Sequence, residues 1–141
     1  MSLKNIDKWA KIGRDSRPKL GIVAPSLHHA QVFYPPGEEA TARRFYTEGL
    51  GLREIARPET LRDRAGIWFA AGTGHVHLSA DGDLGLHPRR HFALRVDDLQ
   101  QTADRLRGAG ARFEKADPIP GWKRIYVFDP FGNKIELDEI Q

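Results

Sequence analysis

Four residues of metal-binding type occupy matching positions in two halves of the sequence. His29 and His91 each stand at the head of an alternating stretch, while His77 and Glu136 each lie within the last alternating stretch of their half. Within each pair, the two residues are separated by about 60 residues, the period of an internal repeat. Imidazoles and carboxylates are ligands for divalent transition metals. The sequence therefore predicts a metal site at which these four side chains meet.

Each half of the chain has the pattern of a βαβββ module. Four stretches in each half alternate or are rich in β-branched and aromatic residues, which predicts strands. These stretches are residues 27–34, 52–56, 66–70 and 75–80 in the first half, and 91–96, 112–115, 124–128 and 134–139 in the second. The predicted fold class is α+β: two tandem βαβββ modules form a cupped mixed sheet, with helices on its outer face.

One helix is predicted after the first strand of each module. In the first module an apolar stripe runs from Glu38 to Glu48, and in the second a helix follows a cap at Asp97 or Asp98. A glycine is predicted to end each helix. The neighbours of the four candidate ligands along each strand are apolar and must point toward these helices. The ligands therefore share the concave, helix-free face.

The domain organisation follows from where the repeat begins. Residues 1–26 are predicted to be a basic N-terminal extension, in which Ile6, Trp9 and Ile12 recur at the spacing of a short amphipathic helix. One interpretation is that this arm covers a partner subunit or an acidic ligand. The other is that it is a peripheral extension with no functional role. Residues 27–141 are predicted to form a single domain, with modules at about 27–84 and 89–141.

Composition excludes several classes of function. The 22 basic and 19 acidic residues give a net charge of +3, too small to predict nucleic-acid binding. The apolar runs are too short for a membrane helix, and the start lacks a signal-peptide pattern. With no cysteine there is neither a disulfide framework nor a thiolate metal site. We therefore predict a cytoplasmic protein with no nucleic-acid or membrane partner.

Several segments together resemble a known family. They are Leu27–Val32, Phe45–Tyr46 followed by Leu50–Leu52, His91–Leu99, and Phe128–Leu137 with its Asp-Pro-Phe-Gly-Asn turn. In this order and spacing the chain is similar to the vicinal oxygen chelate superfamily, which includes glyoxalases, bleomycin-resistance proteins, fosfomycin-resistance enzymes and extradiol dioxygenases. The resemblance implies an open cup, a small-molecule substrate, a homodimer, and one divalent metal that chelates two adjacent oxygens.

The resemblance also places the metal ligands and suggests a reaction. The family's ligand positions fall on His29, His77, His91 and Glu136, a set that accepts Zn, Ni, Mn, Co or Fe. A lyase or isomerase of the glyoxalase type is the leading interpretation, with Glu136 moving the substrate proton. The glyoxalase branch usually has a carboxylate where His77 stands, so this chain departs from that branch at one ligand.

Three alternatives remain open at the sequence level. An extradiol-type dioxygenase would use His29, His91 and Glu136 as a facial set for non-heme iron. Its signature has a histidine before Tyr126 that this chain lacks. A metal-free drug-binding protein of the bleomycin-resistance type is the second alternative, although such proteins generally lack the ligands. In the third, four protein ligands saturate a structural zinc.

Further residues are candidates for substrate contacts. Tyr126 is either a proton or hydrogen-bond donor near the metal or a packing residue beneath its hairpin. Arg95 shares the face of His91 and favours an anionic substrate, with an internal ion pair to Glu136 or Asp138 as the alternative. Gln31 shares the face of His29, and Trp122 is either a rim residue or a turn anchor. The predicted catalytic residues are thus Glu136 and Tyr126. The predicted substrate-binding residues are Arg95, Gln31 and Trp122.

Two other histidines neighbour the candidate ligands. His75 lies on the same face as His77, two residues away, and competes with it as a ligand. His28 is predicted to point the opposite way from His29 and to have a structural role.

Overall fold

The computed structural model describes residues 24–140, which form two four-stranded sheets and a few helices. The first sheet contains β1 (His29–Tyr34), β2 (Arg53–Ile55), β3 (Gly66–Ala71) and β4 (Gly74–Ala80), and the second contains β5 (His91–Arg95), β6 (Arg112–Lys115), β7 (Trp122–Phe128) and β8 (Lys134–Ile140). The helix predicted around Trp9 lies outside the described residues. No helix within residues 24–140 is long and apolar enough to cross a membrane.

Both sheets have the same strand topology. The orders are β1-β4-β3-β2 and β5-β8-β7-β6. In each sheet the first strand of the module pairs in parallel with the last strand, and the remaining neighbours are antiparallel. The predicted α+β fold with two βαβββ modules is confirmed, and each module builds its own mixed sheet.

The first helical segment changes its winding along its length. An α-helix, α1 (Glu39–Arg43), continues directly into a π-helix (Arg44–Gly49). The sequence pattern predicts regular α-helix here. The wider turns place two consecutive aromatic residues, Phe45 and Tyr46, in the core. Gly51, with a φ of 80°, then adopts the left-handed conformation that ends the segment.

The second helix matches its sequence signals closely. Helix α2 (Leu99–Gly108) is capped by Asp98, whose side chain accepts a hydrogen bond from the backbone N–H of Gln101 at 2.9 Å. Gly110, with a φ of 79°, follows its end. The helix packs against the π-helix of the first module, where a Cβ on Gly49 would lie only 2.8 Å from Leu106 Cδ2. Glycine is therefore required at position 49 for this close helix approach.

One hydrophobic core joins both modules. The inward-facing residues of the two sheets and both helical segments contribute to it: Tyr34, Phe45, Tyr46, Ile67, Phe69, Val76, Leu78, Leu106, Val127, Ile135 and Leu137. In β4 and β8 the buried apolar residues alternate with polar ones. Thus Val76 and Leu78 flank His77, and Ile135 and Leu137 flank Glu136. The candidate ligands on these strands therefore face away from the core, as the alternation predicts.

A buried hydrogen-bond network also ties the modules together at the turn before β8. The Tyr46 hydroxyl donates to Oδ2 of Asp129 at 2.8 Å, and Asn133 Nδ2 donates to the same oxygen at 2.7 Å. Asn133 Nδ2 also donates to the carbonyl of Phe33 at 2.8 Å. Gly132, with a φ of 95°, closes this turn. The network fixes strand β1 of the first module relative to the start of β8 in the second.

Candidate metal centre

The first module presents two of the predicted ligands side by side. In the parallel ladder, His29 of β1 pairs with His75 of β4, and Gln31 pairs with His77. The rings of His29 and His77 stack with their centroids 4.1 Å apart. Gln31 donates to Ser79 Oγ at 3.0 Å. The structure thus brings His29 and His77 together, with Gln31 on the adjoining part of the same strand pair.

The surroundings of His77 favour the neutral form of its imidazole. Its ring is buried and stacks on the Trp68 indole, with centroids 3.8 Å apart and planes nearly parallel. Burial, followed by the positive charges of His29 and His75 when they are protonated, lowers the pKa of His77 from 6.5 to about 4. Near neutral pH the imidazole therefore keeps a lone pair available for a metal.

The second module presents a buried carboxylate. Glu136 lies mid-strand in β8 and is only 6% exposed. The guanidinium of Arg124, from the adjacent strand β7, donates to its Oε1 and forms an ion pair with it. Asp138 follows on the same face and is 5% exposed, and its Oδ1 has no hydrogen-bond partner in the described residues. The guanidinium of Arg124 therefore pairs with Glu136, while Asp138 lies opposite Arg124 in the β7–β8 ladder without a contact to it.

Asp138 is a weaker acid than usual as a result. Burial is the main cause, and the hydrogen bond and negative charge of Glu136 add to it, raising the pKa of Asp138 from 3.8 to about 6. Arg124 and His91 partly oppose this rise.

This raised pKa gives a testable dependence of stability on pH. Between pH 4 and 6 the carboxyl of Asp138 stays protonated in the folded chain but ionises in the unfolded one. Its stabilising contribution is therefore complete below pH 4 and is lost as the pH rises through 6. In the Asp138→Asn variant this decline, about 3 kcal/mol, should be missing. Urea unfolding of metal-stripped protein at pH 3.5, 5 and 7 measures it.

The control for this variant is Asp104→Asn, which changes an exposed carboxyl on α2. Its free energy of unfolding should follow the wild-type pH profile. Parallel profiles for wild type and Asp138→Asn would contradict the assignment.

The remaining predicted residues occupy positions around this face. His91 begins β5, its Nδ1 lies 2.8 Å from the carbonyl of Arg89, and its ring meets Tyr126 edge-on with centroids 5.2 Å apart. Arg95 donates to the carbonyl of Ile140 at 3.1 Å. Arg124, not Arg95, makes the predicted ion pair with Glu136. Whether Tyr126 donates a proton or only packs stays a prediction.

Trp122 is the first residue of β7 and is 41% exposed. This position is compatible with a rim residue, and its contact with substrate stays a prediction.

The four predicted ligands divide between the two sheets. His29 and His77 face outward from the first sheet, while His91 and Glu136 lie on neighbouring strands of the second. Within residues 24–140 of a single chain, no three histidine or acidic side chains are arranged to hold one ion. The donor chemistry of the set fits a divalent transition metal, and each module supplies one half of it.

A crevice connects residues of both modules. It has a volume of about 210 Å³ and runs between β1, the loop that links the modules, and the starts of β5 and β8. Its lining includes Gln31, Phe33, Leu86, Arg90, His91 and Lys134. Lys134 Nζ bonds to Glu114 at 2.9 Å and lies 4.1 Å from the ring centroid of Tyr126. The crevice therefore places two predicted site residues, Gln31 and His91, along one basic wall.

The comparison with family models agrees with the fold and with the motifs. The model of the Glyoxalase/Bleomycin resistance protein/Dioxygenase superfamily matches residues 26–137. The chain belongs to this superfamily. A search of curated proteins finds no match.

Solved structures of other superfamily members have the same fold. A Bacillus anthracis protein assigned to the glyoxalase family is 34% identical, with a TM-score of 0.78; the match covers 86% of this chain and 100% of that one. The fosfomycin resistance protein FosX from Mesorhizobium loti is 18% identical, with a TM-score of 0.64 and coverage of 85% and 95%. Lactoylglutathione lyase from Agrobacterium tumefaciens is 19% identical, with a TM-score of 0.62 and coverage of 84% and 96%.

Sequence reasoning about this superfamily member missed part of the site. Sequence reasoning gave Arg124 no role beyond the start of the predicted strand 124–128, yet its alternation with Tyr126 places it on the ligand face, and the ladder sets it opposite Asp138. His28 was predicted to point away from His29. This was wrong, because their Nδ1 atoms lie 3.0 Å apart. His28 precedes the first residue of β1, so strand alternation does not determine its direction.

Proposed function

We propose that this superfamily member is a metal-dependent enzyme of the glyoxalase type, a lyase or isomerase acting on a small anionic substrate with vicinal oxygens. The observation that carries the proposal is the buried carboxylate of Glu136, held mid-strand on an open sheet face at the family's ligand position. A buried carboxylate on a functional face usually serves a metal or a proton. The 34% identity to a glyoxalase-family protein supports this choice within the superfamily.

In this proposal one divalent metal is held by His29, His77, His91 and Glu136. Because the two halves of the set lie on different sheets of the chain, we propose that a homodimer completes each centre, with one module from each copy. Strands β1 and β5 are both edge strands, so each can lie beside the other module of a second copy. The metal is Zn, Ni, Mn, Co or Fe, all of which accept such ligands.

The bound metal would act as a Lewis acid toward the vicinal oxygens of the substrate. Glu136 is then the group that takes and returns the substrate proton, and the neighbouring carboxyl of Asp138 holds a proton up to about pH 6. Arg95 supplies positive charge for an anionic substrate, while the charge of Arg124 is paired with Glu136. Tyr126 donates a hydrogen bond at the developing negative charge.

The other proposed substrate contacts lie at the edges of this face. Gln31 contacts polar groups of the substrate from β1, and Trp122 closes the rim from the start of β7.

The metal content of the purified protein tests the proposal. Protein prepared without a chelating column or added metal, analysed by elemental mass spectrometry, should contain close to one divalent ion per chain. Glu136→Ala should weaken metal binding by at least about tenfold, because it removes the carboxylate ligand. The control Glu114→Ala removes an exposed carboxylate that pairs with Lys134 and should retain the metal.

The result also separates the alternatives. Iron as the bound metal, together with oxygen consumption on a catechol, would favour an extradiol-type dioxygenase using His29, His91 and Glu136. Wild-type protein that stays empty after incubation with Zn, Ni, Mn and anaerobic Fe(II) would overturn the metalloenzyme. A metal-free drug-binding protein of the bleomycin-resistance type would then replace it.

A further inference from the structure

The ligand face of the second sheet, which carries Glu136, changes its chemistry along the strands. The β7–β8 ladder divides this face into three rows: Tyr126 with Glu136, Arg124 with Asp138, and Trp122 with Ile140. Neighbouring rows lie about 7 Å apart, and the first and third about 13 Å apart, because side chains on one face recur at every second residue. The row of the proposed metal ligand is therefore followed by a charged row and then by an apolar row.

The turn that leads into β7 enlarges the apolar row. Ile119 and Trp122 form an isolated β-bridge, in which the Trp122 N–H donates to the Ile119 carbonyl at 3.0 Å. Pro120 and Gly121, whose φ is 80°, occupy the two central positions, as in a type II turn. Directly paired residues lie side by side, so the side chains of Ile119 and Trp122 are neighbours. We call Ile119, Trp122 and Ile140 the apolar end of the ligand face.

Arg124 fixes this turn relative to the proposed metal ligand. Its Nε donates to the carbonyl of Asp117 at 3.0 Å, while the same guanidinium pairs with Glu136. The turn is thus tied to the ligand face, although Ile119 is 37% exposed and Trp122 is 41% exposed. Neighbouring exposed apolar side chains bordered by polar residues mark a contact surface. Because this surface continues the ligand face, we assign it to the substrate.

The charged row between the two ends contains an arginine that is available for an anion. Arg95 lies beside Asp138 in the β5–β8 ladder and donates to the Ile140 carbonyl at 3.1 Å. In the part of the chain that the structure describes, this carbonyl is the hydrogen-bond partner of Arg95, and no carboxylate pairs with it. Arg124, by contrast, is paired with Glu136. A guanidinium without a carboxylate partner suits a carboxylate or phosphate group of a ligand.

We propose that the substrate is an amphipathic anion, with an acidic group on Arg95 and an apolar chain or ring against the apolar end. The inference rests on the proposed function for the vicinal oxygens at Glu136, whereas the contacts with Arg95 and the apolar end need no metal. Ile119 and Ile140 are then specificity-determining residues, together with Trp122. A small anion without the apolar part would leave this end exposed to water and would bind more weakly.

A series of straight-chain carboxylates measures the two metal-independent contacts separately. Acetate, butanoate, hexanoate and octanoate are titrated into full-length, metal-stripped protein at pH 7.5, and NMR chemical shifts report binding. The affinity should rise about two- to fourfold for each CH₂ group added, because each one leaves water at the apolar end. Arg95→Met should weaken the binding of all four acids by a similar factor, at least about fivefold, because it removes the contact with the carboxylate.

Variants of the apolar end should change the dependence on chain length instead. Trp122→Ser and Ile119→Ser should each reduce the gain in affinity per CH₂ group and leave acetate binding unchanged. The matched control Leu86→Ser also replaces an exposed apolar residue, but one that lines the crevice between the modules, and it should keep the wild-type gain. Circular dichroism confirms that each variant is folded.

The outcomes separate this inference from the proposed enzyme. Wild-type affinity that does not rise with chain length overturns the inference, and so does a rise that survives both Trp122→Ser and Ile119→Ser. A rise that is lost in Leu86→Ser places the chain in the crevice and overturns it as well, as does binding that is unchanged in Arg95→Met.

None of these measurements involves metal. A gain per CH₂ group that depends on Trp122 and Ile119, with a head group that depends on Arg95, supports the amphipathic ligand even if the purified protein binds no metal and the proposed enzyme fails. Metal that depends on Glu136, combined with affinity independent of chain length, leaves the enzyme standing and overturns this inference alone.

Discussion

The Asp129→Ala variant is expected to lose about 3–5 kcal/mol of unfolding free energy, because it removes the acceptor of several buried hydrogen bonds. Asp129 is 4% exposed and accepts hydrogen bonds from the Tyr46 hydroxyl, the Asn133 side chain, and the backbone N–H groups of Phe131 and Asn133. Alanine leaves these donors without an acceptor, and each buried unsatisfied donor costs about 1–3 kcal/mol. Equilibrium unfolding in urea measures the loss.

Two controls separate this network from general effects of mutation. Tyr46→Phe removes a single donor and keeps the ring in the core, so a loss of about 1–2 kcal/mol is expected. Asp104→Ala removes a surface ion pair with Arg107 and should change stability by less than about 1 kcal/mol. A loss for Asp129→Ala no larger than that for Asp104→Ala would show that the network does not stabilise the fold.

The Arg124→Met variant is the second change with a large expected effect. Methionine keeps most of the side-chain volume but leaves Glu136 beside Asp138 with no cation, and both carboxyls are buried. Removing the guanidinium leaves the buried charge of Glu136 without its partner, which destabilises the fold. In metal-stripped protein at pH 7.5 we therefore expect a clear fall in the melting temperature. Acidification to pH 5 should shrink the fall, because protonation relieves the repulsion between the two carboxyls.

Metal should reverse much of this loss if Glu136 is a ligand. In wild type the guanidinium of Arg124 competes with a metal for the carboxylate, and this competition is absent in Arg124→Met. Thermal unfolding with and without Ni²⁺ should therefore show a larger metal-dependent rise in melting temperature for the variant. Lys123→Met, which breaks a more exposed pair with Glu139, is the control and should behave like wild type. Equal rises in wild type and Arg124→Met would count against Glu136 as a ligand.

The sequence predicted the strands and the faces of their residues because alternation is a local property. The flanking of His77 and Glu136 by core residues follows directly from a period of two. Ion-pair partners depend on register between strands, which alternation does not reveal. Alternation shows that Arg124 shares a face with the carboxylates. Only the β7–β8 ladder places Arg124 beside Glu136 and opposite Asp138.

The π-helical winding of the first helical segment could not be predicted from the sequence, for a different reason. A stripe of apolar residues predicts helix but does not distinguish α from π hydrogen bonding. That choice depends here on packing between modules, where Phe45 and Tyr46 are both buried and the π-helix closely approaches α2 at Gly49. The candidate metal centre was only partly predictable for the same reason. The sequence of each module predicts that module's two ligands, but how the two pairs of ligands meet depends on contacts between residues distant in the chain.

The parallel pairing of each module's first strand with its last has a consequence for synthesis on the ribosome. Strand β1 stays without its partner until β4 has emerged, and the first sheet can then close while the second is still being made. The second sheet passes through the same stage, because β8 is its final strand and lies between β5 and β7. Each nascent half therefore exposes the unpaired edges of its first and third strands until its last strand leaves the exit tunnel, and such edges are open to pairing with other chains.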